Sequence, residues 1–351
     1  MTVTQKSCLI SPVTDFMFIG GLSLIVYSLV FFSNTSLIDF DYVFLMWVLS
    51  FFVNGPHFIM SYKIFYFEFK NNIFKSFPFF FVGILVPAFL MLTIFFGLRN
   101  NNKYVFVFLL YLMFFTVGWH YIKQSFGCFL IYSRLRGSNF TKQQINLIKV
   151  SLYALWLSSF FNIFTSDSIK SYWGLQYKTY GFLSQISQQL SLITLMCAAP
   201  IIVTLILFYA REKNRLSITS LTPLVCVFIW LSPALKNEVF FYMIPFFHSL
   251  QYILFTYAYN KNKKQEKRVR FLNFFWSVPF VVSALIFYII PTELDSMIKF
   301  GEISNHTFLI SVIFFINIHH YFLDSRMWRR ENNQVVKYLF HTNMMSTGKN
   351  Q

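Results

Sequence analysis

The sequence predicts an all-α integral membrane protein, a polytopic transmembrane helical bundle of about ten spans, and three observations carry that expectation. First, 56% of the 351 residues are hydrophobic, 12% are charged, and the mean hydropathy is +0.55. A soluble domain carries about 25% charged residues, so the solvent for this much apolar surface is lipid. Second, the apolar stretches run to about 20 residues without strict alternation, which is the length of a helical span and not the pattern of a barrel strand. Third, lysine and arginine recur in every second connection between those stretches. Inside lipid a backbone must satisfy its own polar groups, which leaves helices or a closed barrel.

The spans follow in chain order. The first five are Phe16–Phe32, Tyr42–Tyr62, Phe77–Phe96, Tyr104–Tyr132 and Ile145–Phe164. The next five are Leu190–Tyr209, Ile218–Trp230, Val239–Tyr259, Phe271–Ile290 and Thr307–Leu323. The first is preceded by a polar segment with one lysine and is followed by no small-residue cleavage site, so it reads as a retained span. The seventh is short, with Pro233 beyond its end as a candidate break. The stretch Thr165–Gln189 is the longest external-type loop and has room for an interfacial helix. No stretch reads as a soluble domain, so residues 1–351 are expected to form one integral membrane domain.

Loop charge sets the orientation. Basic residues follow spans two, four, six and eight: Lys63, Lys70 and Lys75; Arg134, Arg136 and Lys142; Arg211, Lys213 and Arg215; and Lys261 through Arg270. The tail adds Arg326, Arg329 and Arg330, whereas the opposite connections hold Asp39 and Asp41, then Glu293, Asp295 and Glu302. Cytoplasmic loops carry the positive charge, which places both termini in the cytoplasm. The net charge of +16 is therefore read as topology, and nucleic acid is not an expected partner; the lipid bilayer is. Cys8, Cys128, Cys197 and Cys226 are scattered without CxxC spacing and suggest neither a disulfide framework nor a thiolate metal site.

Five of the seven histidines fall inside spans: His57, His120, His248, His319 and His320. Ionisable side chains in lipid are costly, so they face the bundle interior and mark functional sites. They lie on spans two, four, eight and ten, which all run inward, at depths of roughly 12 to 24 Å. Several helices offering imidazoles at comparable depth is how bundles build metal sites. Each histidine has a polar residue one turn on: His57 with Ser61, His120 with Gln124, His248 with Tyr252, and His320 with Asp324. Residues at i and i+4 share a helix face, and a ligating imidazole gives its second N–H to such a partner. Asp324, Gln124 and Tyr252 are thus the candidate catalytic or supporting residues, although Asp324 reads equally as a helix-end charge beside Arg326. Asn54 and Gln251 add polar atoms near the layer. His319 and His320 diverge by about 100° around the helix, so one of them faces elsewhere. His306 and His341 lie outside the layer.

An all-imidazole set suits iron, copper, zinc or nickel, while hard cations take oxygen. No buried Asp/Glu cluster accompanies it, which argues against a carboxylate-bridged di-iron site. The HxxxH and HxxHH boxes of membrane desaturases are absent. The expected cofactor is non-haem Fe²⁺, with copper or zinc as alternatives, and the expected chemistry uses dioxygen on a hydrophobic small-molecule substrate.

The stretches Gly55-Pro56-His57, Trp119-His120-Tyr121 and Phe247-His248-Ser249, with the late His319-His320, resemble the bacterial Brp/Blh-like membrane β-carotene dioxygenases. The resemblance covers four short patches. It implies a His-ligated non-haem iron in a helical membrane fold, a lipid- or carotenoid-like substrate, and a bacterial inner membrane as the location. Two other readings stand beside it. One is a proton-coupled transporter, with the intramembrane histidines as a relay and Pro56, Pro87, Pro200 and Pro245 as breaks in its helices. The other is a b-haem protein with bis-histidine ligation.

Overall fold

The computed structural model describes residues 8–32, 42–138, 140–196, 216–232, 238–267, 276–329 and 332–340. The described chain is helical apart from one short hairpin. In chain order the helices are α1 Pro12–Phe32, α2 Tyr42–Lys63, α3 Phe77–Arg99, α4 Lys103–Leu135 and α5 Lys142–Asn162. The hairpin strands are β1 Ile169–Tyr172 and β2 Leu175–Lys178. Then come α6 over 183–196, α7 Ile218–Trp230, α8 Glu238–Lys267, α9 Ser277–Met297, α10 Thr307–Met327 and the short α11 Asn333–Phe340. Among the described residues, α1, α3, α4, α9 and α10 are long and apolar enough to cross a membrane, and α7 is a shorter apolar helix.

Two elements differ from the sequence expectation. The Thr165–Gln189 loop holds a β-hairpin rather than an interfacial helix, with α6 beginning at its end. Trp173 and Gly174 both have positive φ (50° and 81°), the requirement of a two-residue turn that matches strand twist. Leu175 and Tyr177 are buried while Gln176 and Lys178 are exposed, the period-two pattern of a half-buried strand. Helix α8 also runs past its apolar stretch to Lys267, since lysine and glutamate are good helix formers where lipid no longer selects against them. Of the expected span Leu190–Tyr209, the part after residue 196 lies outside the described residues, as do the Arg211–Arg215 and Arg268–Arg270 loop residues, Cys197, Pro200, Pro233 and His341.

Contacts divide the chain into two compact units. One comprises Met1–Leu49, Gly118–Ser168 and Lys178–Leu254. Its core gathers Tyr27, Ile122, Phe129, Leu152, Trp230 and Phe247. Helix α1 starts on a Ser11 cap with Pro12 in its first turn, and the buried Asp15 carboxylate accepts from the backbone N–H groups of Leu9, Ile10 and Ser11 at 2.6, 3.0 and 3.3 Å. Helical dihedrals break at Gly20, inside the π turn Met17–Gly21. Gly20 sits at φ 150°, and a Cβ there would lie 2.4 Å from Cys226 Sγ, so both conformation and space call for glycine. Cys226 Sγ donates to Gly20 O at 3.3 Å and Gln251 Nε2 donates to Ile19 O at 2.7 Å, which satisfies carbonyls at the break.

The other unit comprises Ser50–Val117, Ile169–Tyr177 and Phe255–Gln351. Phe58, Phe287 and Ile316 pack together in it. A Cβ on Gly55 would lie 2.4 Å from Ser283 Oγ, so glycine lets α2 and α9 approach closely two residues before His57. Asp295 accepts from the backbone N–H groups of Phe308 and Leu309 at 2.7 and 3.0 Å and so caps the first turn of α10. The hairpin tip is fastened by Ser304 Oγ, which donates to Trp173 O at 2.5 Å, and Tyr172 stacks on Phe314.

Candidate metal centre

Two histidine pairs arise from four helices. His57 follows Pro56 inside α2, and its ring lies 4.4 Å from that of His320 on α10, nearly perpendicular at 84°. His120 on α4 lies 4.7 Å from His248 on α8, centroid to centroid, at 73°. Pro245 lies one turn before His248. Proline inside a helix removes a backbone donor. The four rings are 0%, 2%, 7% and 2% exposed in the order His57, His320, His120 and His248, which rules out solvation as the means of satisfying them. Each offers one ring nitrogen, and the four nitrogens all lie within 4.8 Å of one another, a group that could hold a metal ion.

The donor set fits a transition metal. Four neutral imidazoles, with no carboxylate or thiolate in the group, match iron, copper, zinc or nickel rather than calcium or magnesium.

Of the sequence-predicted partners, Asp324 faces the histidine its spacing suggests, whereas Ser61 and Gln124 bond to other residues. Asp324 Oδ2 lies 3.3 Å from His320 Nε2, on the same helix face four residues on. Its Oδ1 accepts from Ser61 Oγ at 2.8 Å, so Ser61 supports the carboxylate of α10 rather than the His57 ring one turn before it. Gln124 does not serve the His120 ring through its amide hydrogens. Its Nε2 donates to His248 O at 2.8 Å and to Gln251 Oε1 at 3.1 Å. Gln251 in turn donates to Ile19 O at 2.7 Å, which makes a chain of amides from α4 through α8 to the break in α1. Tyr252 is buried, 2% exposed, one turn after His248. Asn54 is half-buried in α2.

His319 stands apart from the other four. Its Nε2 lies 3.0 Å from Val82 O and its Nδ1 lies 2.7 Å from Tyr62 Oη. A carbonyl only accepts, so Nε2 carries the proton and Tyr62 O–H donates to Nδ1. With both nitrogens engaged, His319 is not a member of the metal group, and the expected fifth ligand becomes a structural tie between α10, α2 and α3. Tyr62 was not legible as its partner, because the pairing joins positions 257 residues apart. Among the other side chains near the layer, Tyr121 packs against His248 at 4.6 Å between centroids. His306, at the start of α10, rests edge-on against Trp173.

Comparison of the chain with protein-family models, with curated proteins and with solved structures finds no match.

Proposed function

We propose that this chain is an integral membrane oxidoreductase whose four histidines hold one non-haem iron ion for dioxygen-dependent oxidation of a hydrophobic substrate. The observation that carries this reading is the convergence of four buried imidazole nitrogens within 4.8 Å in a chain whose helices are apolar enough for lipid. Iron bound there supplies a redox-active centre with coordination positions left for dioxygen. The residues around it hold the ligands. Asp324 Oδ2 lies 3.3 Å from His320 Nε2, near enough to orient that ring, and Ser61 donates to the other carboxylate oxygen. The amide chain fixes the backbone at His248. Apolar helices exclude bulk water and admit a lipophilic substrate from the bilayer, a carotenoid-like molecule in keeping with the four resembling patches.

Ten spans with both termini cytoplasmic remain part of the reading, supported by the alternation of basic loops.

The test is elemental analysis and absorption spectroscopy of the purified protein, followed by oxygen uptake with lipophilic polyenes. About one iron per chain and no Soret band are expected. Absence of iron after anaerobic reconstitution, together with proton-coupled solute flux in proteoliposomes, would replace this reading with a transporter. A reporter in the Lys261–Arg270 loop that reads as external would overturn the orientation.

A further inference from the structure

We propose that the corner joining α2 to α3 is a docking surface for acidic phospholipid headgroups, an inference that stands apart from the iron reading. The chain leaves α2 at Lys63 through a π turn, Ile64–Glu68, and a single helical turn, Lys70–Ile73, before Pro78 opens the first turn of α3. Phe65, Phe69 and Ile73 recur at one-turn spacing, are buried, and hold the corner down. The rings of Phe65 and Phe69 both pack against Phe79, at 5.8 and 5.6 Å between centroids. The residues among them are turned outward. Lys63, Lys70 and Lys75 are exposed, and so are Phe67, Phe74 and Phe77, at 74%, 78% and 71%. Lysine and phenylalanine thus interleave along the outer side of the corner.

This composition suits one environment. In water, three rings this exposed form an unburied apolar patch. In the hydrocarbon core, three ammonium groups carry a heavy desolvation cost. At headgroup level both are satisfied, with the rings at the acyl boundary and the lysines among phosphates. The course of the chain agrees, since α3 is long and apolar enough to cross a membrane and the corner lies at its start. Charge then selects the headgroup. The one carboxylate of the corner, Glu68, is engaged by Lys263 of α8. No carboxylate among the described residues pairs with Lys63, Lys70 or Lys75, so an acidic headgroup complements them better than a zwitterionic one. The connection between α4 and α5 is basic without this pattern: Arg134, Arg136 and Lys142 are exposed there, but its phenylalanine, Phe140, is half-buried.

The experiment titrates the full-length protein in detergent with phosphatidylglycerol or phosphatidylcholine and reads bound lipid by native mass spectrometry, with folding checked by size exclusion. The wild type is expected to bind phosphatidylglycerol more tightly. Lys63→Gln, Lys70→Gln and Lys75→Gln together should weaken that binding by roughly fivefold per lysine and leave phosphatidylcholine binding unchanged. Phe67→Ala with Phe74→Ala should weaken the binding of both lipids. Arg134→Gln, Arg136→Gln and Lys142→Gln together make the same charge change where no ring is exposed, and should keep most of the preference. Glycerol phosphate, a phosphate headgroup without acyl chains, should not displace the lipid. Should the corner triple fail to fold, Lys70→Gln with Lys75→Gln carries the test. Equal binding of the two lipids by the wild type overturns the proposal. So does a loss in the α4–α5 triple as large as in the corner triple, or unchanged phosphatidylglycerol binding in the ring pair. Displacement by glycerol phosphate would overturn it in favour of a soluble phosphate site. Self-association that the ring pair abolishes while lipid preference stays would overturn it in favour of a contact between copies of this chain.

Discussion

The His57–His320 pair adjoins a carboxylate, whereas the His120–His248 pair adjoins a chain of neutral amides that ends on a backbone carbonyl. Asp324 touches an imidazole nitrogen of its pair at 3.3 Å. Gln124 touches the main chain of His248 at 2.8 Å. A carboxylate on the far nitrogen fixes the tautomer and makes the imidazole a better base, so it adjusts the electronic character of the bound metal. An amide on the backbone does neither; it fixes where the ligand stands. One pair is thus supported through its charge and the other through its placement, and substitutions in the two surroundings should fail in different ways.

The largest expected effect treats both pairs alike. His57→Ala and His120→Ala each remove one of four ligands, and both proteins should be iron-poor and inactive while eluting as the wild type does in size exclusion. Iron per chain is the measurement. Well-folded variants of both that keep full iron would dissolve the common centre.

The contrast sharpens at the next level. Asp324→Asn keeps the shape but removes the charge beside His320, and loss of such a partner costs roughly 10- to 100-fold in metal affinity or activity. The protein should remain iron-loaded at saturating metal with a weakened affinity measured by chelator competition. Ser61→Ala removes one hydrogen bond to the same carboxylate and should show a smaller change in the same direction. Equal affinities for Asp324→Asn and wild type would mean that the carboxylate is a helix-end charge and nothing more.

The described helices and the burial of the histidines on them could be read from the sequence because both follow from local rules: apolar length for the helices, the cost of an exposed imidazole in lipid for the histidines. Partner identity followed from spacing for His320 and Asp324 but not for Ser61 or Gln124. Ser61 stands one turn from His57, and only the tertiary fold reveals that its hydroxyl serves Asp324, 263 residues away. Gln124 likewise stands one turn from His120 and serves α8. Spacing establishes that two residues share a helix face, and the neighbouring helix decides what that face meets. The Trp173-Gly174 turn was present in the sequence as a loop signal, and its positive dihedrals could have been anticipated for the glycine but not for the tryptophan.

Backbone seats come next in size. Gly55→Ala places a Cβ 2.4 Å from Ser283 Oγ and 2.8 Å from Ser283 Cβ, directly before Pro56 and His57. Overpacking of this kind costs about 1–3 kcal/mol. Thermal unfolding should shift down, and metal affinity should fall with it because His57 is carried on the displaced segment. The double variant Gly55→Ala, Ser283→Gly should recover much of both, since it removes the side chain that clashes. Failure of the second substitution to recover either property would show that the close approach of α2 and α9 is not what the glycine serves.

The smallest effect belongs to His319, the histidine outside the metal group. Tyr62→Phe deletes the hydroxyl that donates to Nδ1 and leaves the Val82 carbonyl bonded to Nε2. The ring of Tyr62 is retained, so the packing against His319 at 5.2 Å between centroids is kept. What is lost is one buried hydrogen bond, about 1 kcal/mol in stability. Iron content and chelator competition should match the wild type, because both nitrogens of His319 are engaged by Tyr62 and Val82 outside the histidine group. This sets the variant against Asp324→Asn, in which stability is nearly kept and affinity falls. His319→Gln extends the test: an amide can still donate to Val82 O, so the protein should fold and load iron. If His319→Gln instead loses iron as fully as His120→Ala does, then the ring bonded to Tyr62 and Val82 in this structure moves into the centre when metal binds, and the ligand set has five members rather than four.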